Sequence, residues 1–299
     1  MRFNIEIINE TLKIIEDGAY SLTANETRST ARVPLKLSKE QISNAIVLTE
    51  NEVRSMIDNL NDVQQTNVGR CRFTVSANDS YAAAINISEE EIDPREKPGI
   101  LVLNFANPVH PGGGVRRGAR AQEEDLCRKS TLLASLESAN VEAYYTYNYD
   151  NKNNFGSDYM IISPTVEIIR DESNNFLEDS VVVSVLTCAA PYLRRGIESV
   201  DANELERVIF RRIMGMLHVA VKFGYMHLVL GAWGCGAFGN DAEMIARLFR
   251  KAFEEMRCGH DANANGLFIR VEFAVLYNPV YSYNYDCFNK YFGSYEVED

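Results

Sequence analysis

The chain has 299 residues, of which 46% are hydrophobic, enough for one large α/β domain or two modest ones with a sizeable core. Its formal net charge of −12 argues against a face that grips nucleic acid along its backbone, so no direct sequence-specific nucleic-acid binding is expected; a phosphate-bearing substrate needs only local positive groups, such as the cluster Arg116, Arg117, Arg120 and Arg128. Glu6, Glu10 and Glu16 interrupt the start and no run of roughly eighteen uncharged apolar residues follows, so neither a signal peptide nor a membrane association is expected.

Residues 1–70 are polar and broken by Asn, Thr and Ser. A helix is predicted over 4–16, with Ile5, Ile8, Leu12 and Ile15 on one face, and a second from Ser38, where Ser-Lys-Glu-Gln offers a capping box. This segment reads as a layer packed on the main domain. From about residue 71 strands and helices alternate: a strand at 72–76, a helix around 80–87, and GILVLNF at 99–105, an apolar run expected of a strand buried on both faces. A helix is predicted over 123–136, strands over 159–169 and 180–187, and the longest helix over 202–223. A strand at 226–231, a glycine-rich loop, a helix at 242–256, a strand at 268–277 and a short helix near 285–292 complete the chain. This alternation predicts an α/β fold with a mixed, largely parallel sheet covered on both faces.

In such sheets ligands collect beyond the carboxyl ends of the strands. Two loops stand at that address. The first, NFANPVHPGGGVRRGARAQEE, carries three consecutive glycines that allow close backbone approach to a ligand, then seven residues, then Gln122-Glu123-Glu124 at a helix start. Acidic residues in a first helical turn also complement the helix dipole, so simple capping is the alternative. Adjacent helical positions point about 100° apart, so the two carboxylates are expected to have different tasks. The second loop, GAWGCGAFGND, matches GxGxxG literally. A dinucleotide-binding reading fails because only one strand follows it and Glu254 and Glu255 fall in a helix. What survives is a glycine loop before a helix, presenting N–H groups to a phosphate or diphosphate.

Metal and nucleophile readings are weak. The four histidines lack zinc spacing, and the six cysteines show no CxxC pair and read as reduced thiols of a cytoplasmic protein, or a nuclear one. Cys235 has no assignable base, and no GxSxG elbow exists.

The constellation of three glycines, seven residues and Gln-Glu-Glu resembles the signature of poly(ADP-ribose) glycohydrolases. NFANPVHPGGG is similar to the ribose-binding loop of the microbial branch, and GCGAFGND to the diphosphate loop of macrodomains. NETLKIIEDGAY, VLTCAAP and the spacing of Asn284 and Phe288 extend the resemblance over nearly the whole chain. It implies a macrodomain-like three-layer α/β/α fold, with residues 1–70 an N-terminal helical extension on a catalytic domain at 71–299. Glu124 would be the catalytic acid, Glu123 would bind hydroxyls of the terminal ribose, and Asn107 would orient that ribose. Gly112, Gly113 and Gly114 would approach the ribose and phosphates, with Gln122 beside them. Gly234, Cys235, Gly236, Ala237, Gly239 and Asn240 would hold the diphosphate, and Phe238 would pack on the ribose. Adenine would meet Asn78, Asp79 or Phe288, and His110 has no assigned role.

The activity so implied is hydrolysis of ribose–ribose bonds in ADP-ribose polymers on modified proteins, exo-acting and releasing ADP-ribose, in the reversal of ADP-ribosylation such as follows DNA damage. No cofactor and no metal is implied. Glycosidases generally use two separated carboxylates around an oxocarbenium-like state. With one placed here, the substrate's own diphosphate is expected to stabilise the cation, while Glu124, its pKa raised in a partly dry site, acts as acid and then base. Removal of single ADP-ribose units and a non-catalytic ADP-ribose reader are the alternatives.

Overall fold

The computed structural model describes residues 2–23, 30–59, 71–91, 99–151, 153, 155–194, 201–256 and 267–293; Cys258 and His260 lie outside these. Helix α1 (Arg2–Asp17) buries Ile7, Ile8, Thr11, Ile14 and Ile15. That stripe is rotated from the expected one because the buried side meets the main domain: Asn4 donates to the Gly118 carbonyl and Thr11 to that of Arg128. An antiparallel hairpin of β1 (Ala19–Thr23) and β2 (Thr30–Pro34) follows. The capping box opens α2 (Lys39–Ile42) as predicted, with both Ser38–Gln41 bonds formed. Then come β3 (Ile46–Leu48) and α3 (Glu50–Asp58), the latter with its own capping box at Thr49 and Glu52. The described part of residues 1–70 is therefore strand as well as helix, and β3 belongs to the main sheet.

The main sheet adds β4 (Arg72–Ser76), β5 (Ile100–Phe105), β6 (Met160–Arg170), β7 (Phe176–Cys188), β8 (His227–Leu230) and β9 (Arg270–Ala274). Its order is β3-β6-β7-β5-β8-β9-β4. The strands from β7 across to β4 run parallel, while β6 and β3 are antiparallel to their neighbours. Pro164 interrupts β6 at the register shift between Ser163 and Val166, as expected of a residue with no N–H for the ladder.

Helices cover both faces. On one, α8 (Ala202–Lys222), α9 (Ala242–Glu255) and α10 (Tyr283–Phe292) pack with Leu101 and Leu103 of β5. On the other, α4 (Ser80–Glu91), α5 (Gln122–Lys129), α6 (Leu132–Leu136) and α7 (Glu142–Asp150) pack with Ile100 and Val102. The alternation of β5 between two cores is the three-layer arrangement that its unbroken apolar run predicts. The helix expected over 123–136 is two helices, because Ser130 turns extended to bridge Ile168 and Thr131 exchanges bonds with the backbone of Glu167. Among the described residues no helix is long and apolar enough to cross a membrane.

Candidate active site

The carboxyl ends of β4, β5, β7, β8 and β9 open on one cavity of about 840 Å³, in the range of small-molecule sites. Beyond β5 the chain makes a tight loop. The side-chain oxygen of Asn107 accepts from the amides of Val109 and His110, Gly112 and Gly113 take left-handed φ of 64° and 58°, and a 3₁₀ turn over Val115–Arg117 leads to α5. Ala121, before α5, offers no side-chain cap. Glu123 and Glu124 do not serve their own helix either. Glu123 Oε2 accepts the Asn107 N–H at 2.7 Å, and Glu124 Oε1 accepts the Gly114 N–H at 2.8 Å. Both carboxylates are therefore tied to the glycine loop, and simple dipole capping does not describe them. Gln122 completes the brace: its Oε1 accepts from Phe105 N–H while its Nε2 donates to Leu103 O and Ser80 Oγ.

The two glutamates differ as their 100° separation predicts. Glu123 is 2% exposed and accepts a further bond from the buried Asn104. Burial pushes its pKa up to about 8, against the lowering effect of the Asn107 and Asn104 bonds and with a smaller push from the charge of Glu124. Glu124 is also buried, yet its Oε2 has no hydrogen-bond partner among the described residues. A buried oxygen left open beside a ligand cavity is an acceptor, or a proton carrier, waiting for something to enter.

The second loop follows β8. Gly234 has φ 76°, and a Cβ there would stand 2.5 Å from the Ala190 Cβ, so only glycine fits. Asn240 is buried and donates to Pro191 O and Gly234 O, while Leu193 N–H bonds Phe238 O. These bonds fasten the loop to the segment after β7. The N–H groups of Gly236, Ala237 and Phe238 donate to no acceptor among the described residues and stand at the cavity. The thiol of Cys235 turns to the Trp233 carbonyl, and burial raises its pKa, which removes it as a nucleophile.

Of the residues expected at the site, Gln122, Gly234, Gly236, Ala237 and Phe238 line the cavity. Glu123 and Glu124 sit between Gln122 and Asp125, which also line it, with Asn107 and the three glycines held against them. Cys235, Gly239 and Asn240 are not among the lining residues. Phe288 lies wholly in the core, against Phe249 and Phe273, so it does not face a base; Asn78 and Asp79 do line the cavity. The arginine cluster disperses: Arg116 pairs with Glu137, and buried Arg128 holds Ala119 O, leaving Arg120 at the cavity. Sequence reasoning missed Asp125 and Lys129, which lie one turn further along α5. Their signal was the helical i, i+4 spacing behind Gln122. Among the described residues no group of three or more His, Cys, Asp or Glu side chains could hold a metal ion.

A sequence model of the microbial-type PARG catalytic domain matches residues 8–171. No curated protein matches. Among solved structures, the poly(ADP-ribose) glycohydrolase of Thermomonospora curvata bound to the inhibitor ADP-HPD is 29% identical, with a TM-score of 0.81 over 97% of this chain and 99% of that one. The poly(ADP-ribose) glycohydrolase of Deinococcus radiodurans in complex with ADP-ribose is 32% identical, with a TM-score of 0.74 over 86% of this chain and 97% of that one.

Proposed function

The chain belongs to the microbial-type poly(ADP-ribose) glycohydrolase family, and from that premise we infer that it hydrolyses the ribose–ribose O-glycosidic bonds of ADP-ribose polymers, with Glu124 as the acid. The observation that carries this reading is Glu124 itself: one oxygen fixed by the Gly114 amide, the other buried and open. Its open oxygen protonates the leaving 2′-oxygen as the bond from C1″ breaks. A water then adds to C1″ and returns a proton to the same carboxylate. The diphosphate, seated on the N–H groups of Gly236, Ala237 and Phe238, lies near enough to the cation to stabilise it. Glu123, largely neutral at pH 7, holds the hydroxyls of the terminal ribose, and Asn107 sets the loop beside it. Entry of a chain end makes the action exo, with ADP-ribose as product and polymer on modified proteins as substrate.

The test is polymer hydrolysis by wild type and Glu124→Gln side by side, with a singly ADP-ribosylated protein as parallel substrate. Wild type releases ADP-ribose from polymer, and the variant is at least ~10²-fold slower, the low end of general-acid contributions. An equally active variant removes Glu124 from the mechanism; release from the singly modified protein alone replaces the polymer as substrate.

A further inference from the structure

Lys129 stands in the cavity wall but takes no part in the chemistry above. It is 2% exposed, and its ammonium donates to Asp79 Oδ2 at 2.7 Å and to Asp125 Oδ2 at 2.6 Å. Lysines are almost never buried this far unless paired. Burial pulls its pKa down, the two carboxylates outweigh burial, and the net shift is upward, so the group stays charged. Asp79 precedes α4, where its Oδ1 accepts the amides of Tyr81 and Ala82; Asp125 belongs to α5, where its Oδ1 accepts from Arg128. Lys129 therefore fixes the two carboxylates from two different helices against one point of the wall.

The order of groups in the ligand places this cluster, and here the argument rests on the function proposed above. With the ribose at Glu123 and Glu124 and the diphosphate on the second glycine loop, the nucleobase is left with the part of the cavity bounded by Asn78, Asp79, Asp125 and Lys129. We propose that Lys129 is a specificity-determining positioning residue, whose donors are spent on Asp79 and Asp125 so that the base meets acceptors only. Such a wall selects a base bearing an exocyclic amino group, adenine, over one bearing a carbonyl there, hypoxanthine. A carboxylate offers roughly four lone-pair sites; protein donors take three at Asp79 and two at Asp125, so acceptor capacity remains for the ligand. Without the ammonium, two neighbouring carboxylates repel and share a proton. A protonated carboxyl donates as readily to a carbonyl as its partner accepts from an amine, and the selection is lost.

Calorimetry with ADP-ribose and with its hypoxanthine analogue, on wild type, Lys129→Met and Asp125→Asn, tests this, with melting temperatures to establish folding. Wild type is expected to prefer ADP-ribose by at least ~10-fold, the scale set by a buried hydrogen bond left unmade. Both variants are expected to bring the preference within ~3-fold, with KM for polymer raised and kcat within ~3-fold of wild type. A folded variant that keeps the wild-type preference assigns Lys129 to stability alone and overturns the proposal, as does a wild type that binds both ligands equally. Wild type binding neither ligand would overturn the functional reading itself.

Discussion

Glu123 and Glu124 are one residue apart and meet opposite surroundings. The turn of the helix sends Glu123 under the chain leaving β5, where Asn104 and the Asn107 amide close over it, and sends Glu124 toward the glycine loop. The folded pKa of Glu123, about 8, stands above its ordinary 4.5, so between these values the native state holds a proton that the unfolded chain has released. Its contribution to stability is therefore full below about pH 4.5 and drains as pH rises through 8, at up to about 1.4 kcal/mol per pH unit for one proton. Denaturant unfolding of wild type and Glu123→Gln at pH 5 and pH 8 should show wild type losing more on the way up, because glutamine has no proton to release. Parallel profiles would mean that the side chain is already ionised at pH 5. That the two glutamates divide their tasks was legible in sequence from helical geometry alone. Which one keeps its proton was not, because the groups that exclude water from Glu123 arrive from β5 and the loop after it.

At the scale of elements, the loop after β5 and the loop after β8 use glycine for different reasons. At Gly113 the φ of 58° is left-handed, and a Cβ would fall 2.5 Å from Glu124 Oε1. Gly113→Ala should cost about 1–2 kcal/mol of backbone strain, visible as a melting temperature lowered by a few degrees. It should also push the catalytic carboxyl aside, so that kcat falls at least ~10²-fold, as for Glu124→Gln. At Gly236 a Cβ meets nothing within 4 Å and φ is not left-handed, but the residue lines the cavity. Gly236→Ala should therefore melt with wild type, as unstrained surface changes do, yet bind ADP-ribose at least ~10-fold more weakly, because its methyl occupies the diphosphate's place. A variant with wild-type affinity would remove that loop from the binding site. Long apolar runs and clean caps made β5, α8, α9 and the Ser38 box readable. Helix α7, EAYYTYNYD, was not readable, since tyrosine is a middling helix former and only Tyr144 and Tyr145 of its four are buried. Three-residue β3 carries too little pattern to stand out, and becomes a strand by pairing with β6.

For the whole molecule, the order of strands is the part no local pattern contains, since β5 lies between β7 and β8 through contacts far apart in the chain. The same distance separates the partners of Asp158, which enters β6 and is 1% exposed. Its carboxylate accepts from Arg211 at 2.6 Å and from Arg212 at 3.0 Å. Arg212, itself 1% exposed, also donates to Phe155 O and to Ala189 O, just beyond β7 and next to the cavity residue Ala190. One buried ion network thus joins the antiparallel edge of the sheet, the longest helix and the mouth of the site. Burial raises the pKa of Asp158, but the two guanidinium groups outweigh burial and the net shift is downward. Its stabilisation is therefore present at neutral pH and is lost as pH falls through that lowered value. Asp158→Ala leaves Arg212 charged, buried and without its counterion, and should destabilise the protein by about 3–5 kcal/mol at pH 7. Arg116→Ala, which breaks the exposed pair with Glu137, should cost about 0–1 kcal/mol. Urea unfolding of the two variants separates these scales: equal losses would mean that water reaches Arg212, and that the network does not tie the cavity's rim to the sheet.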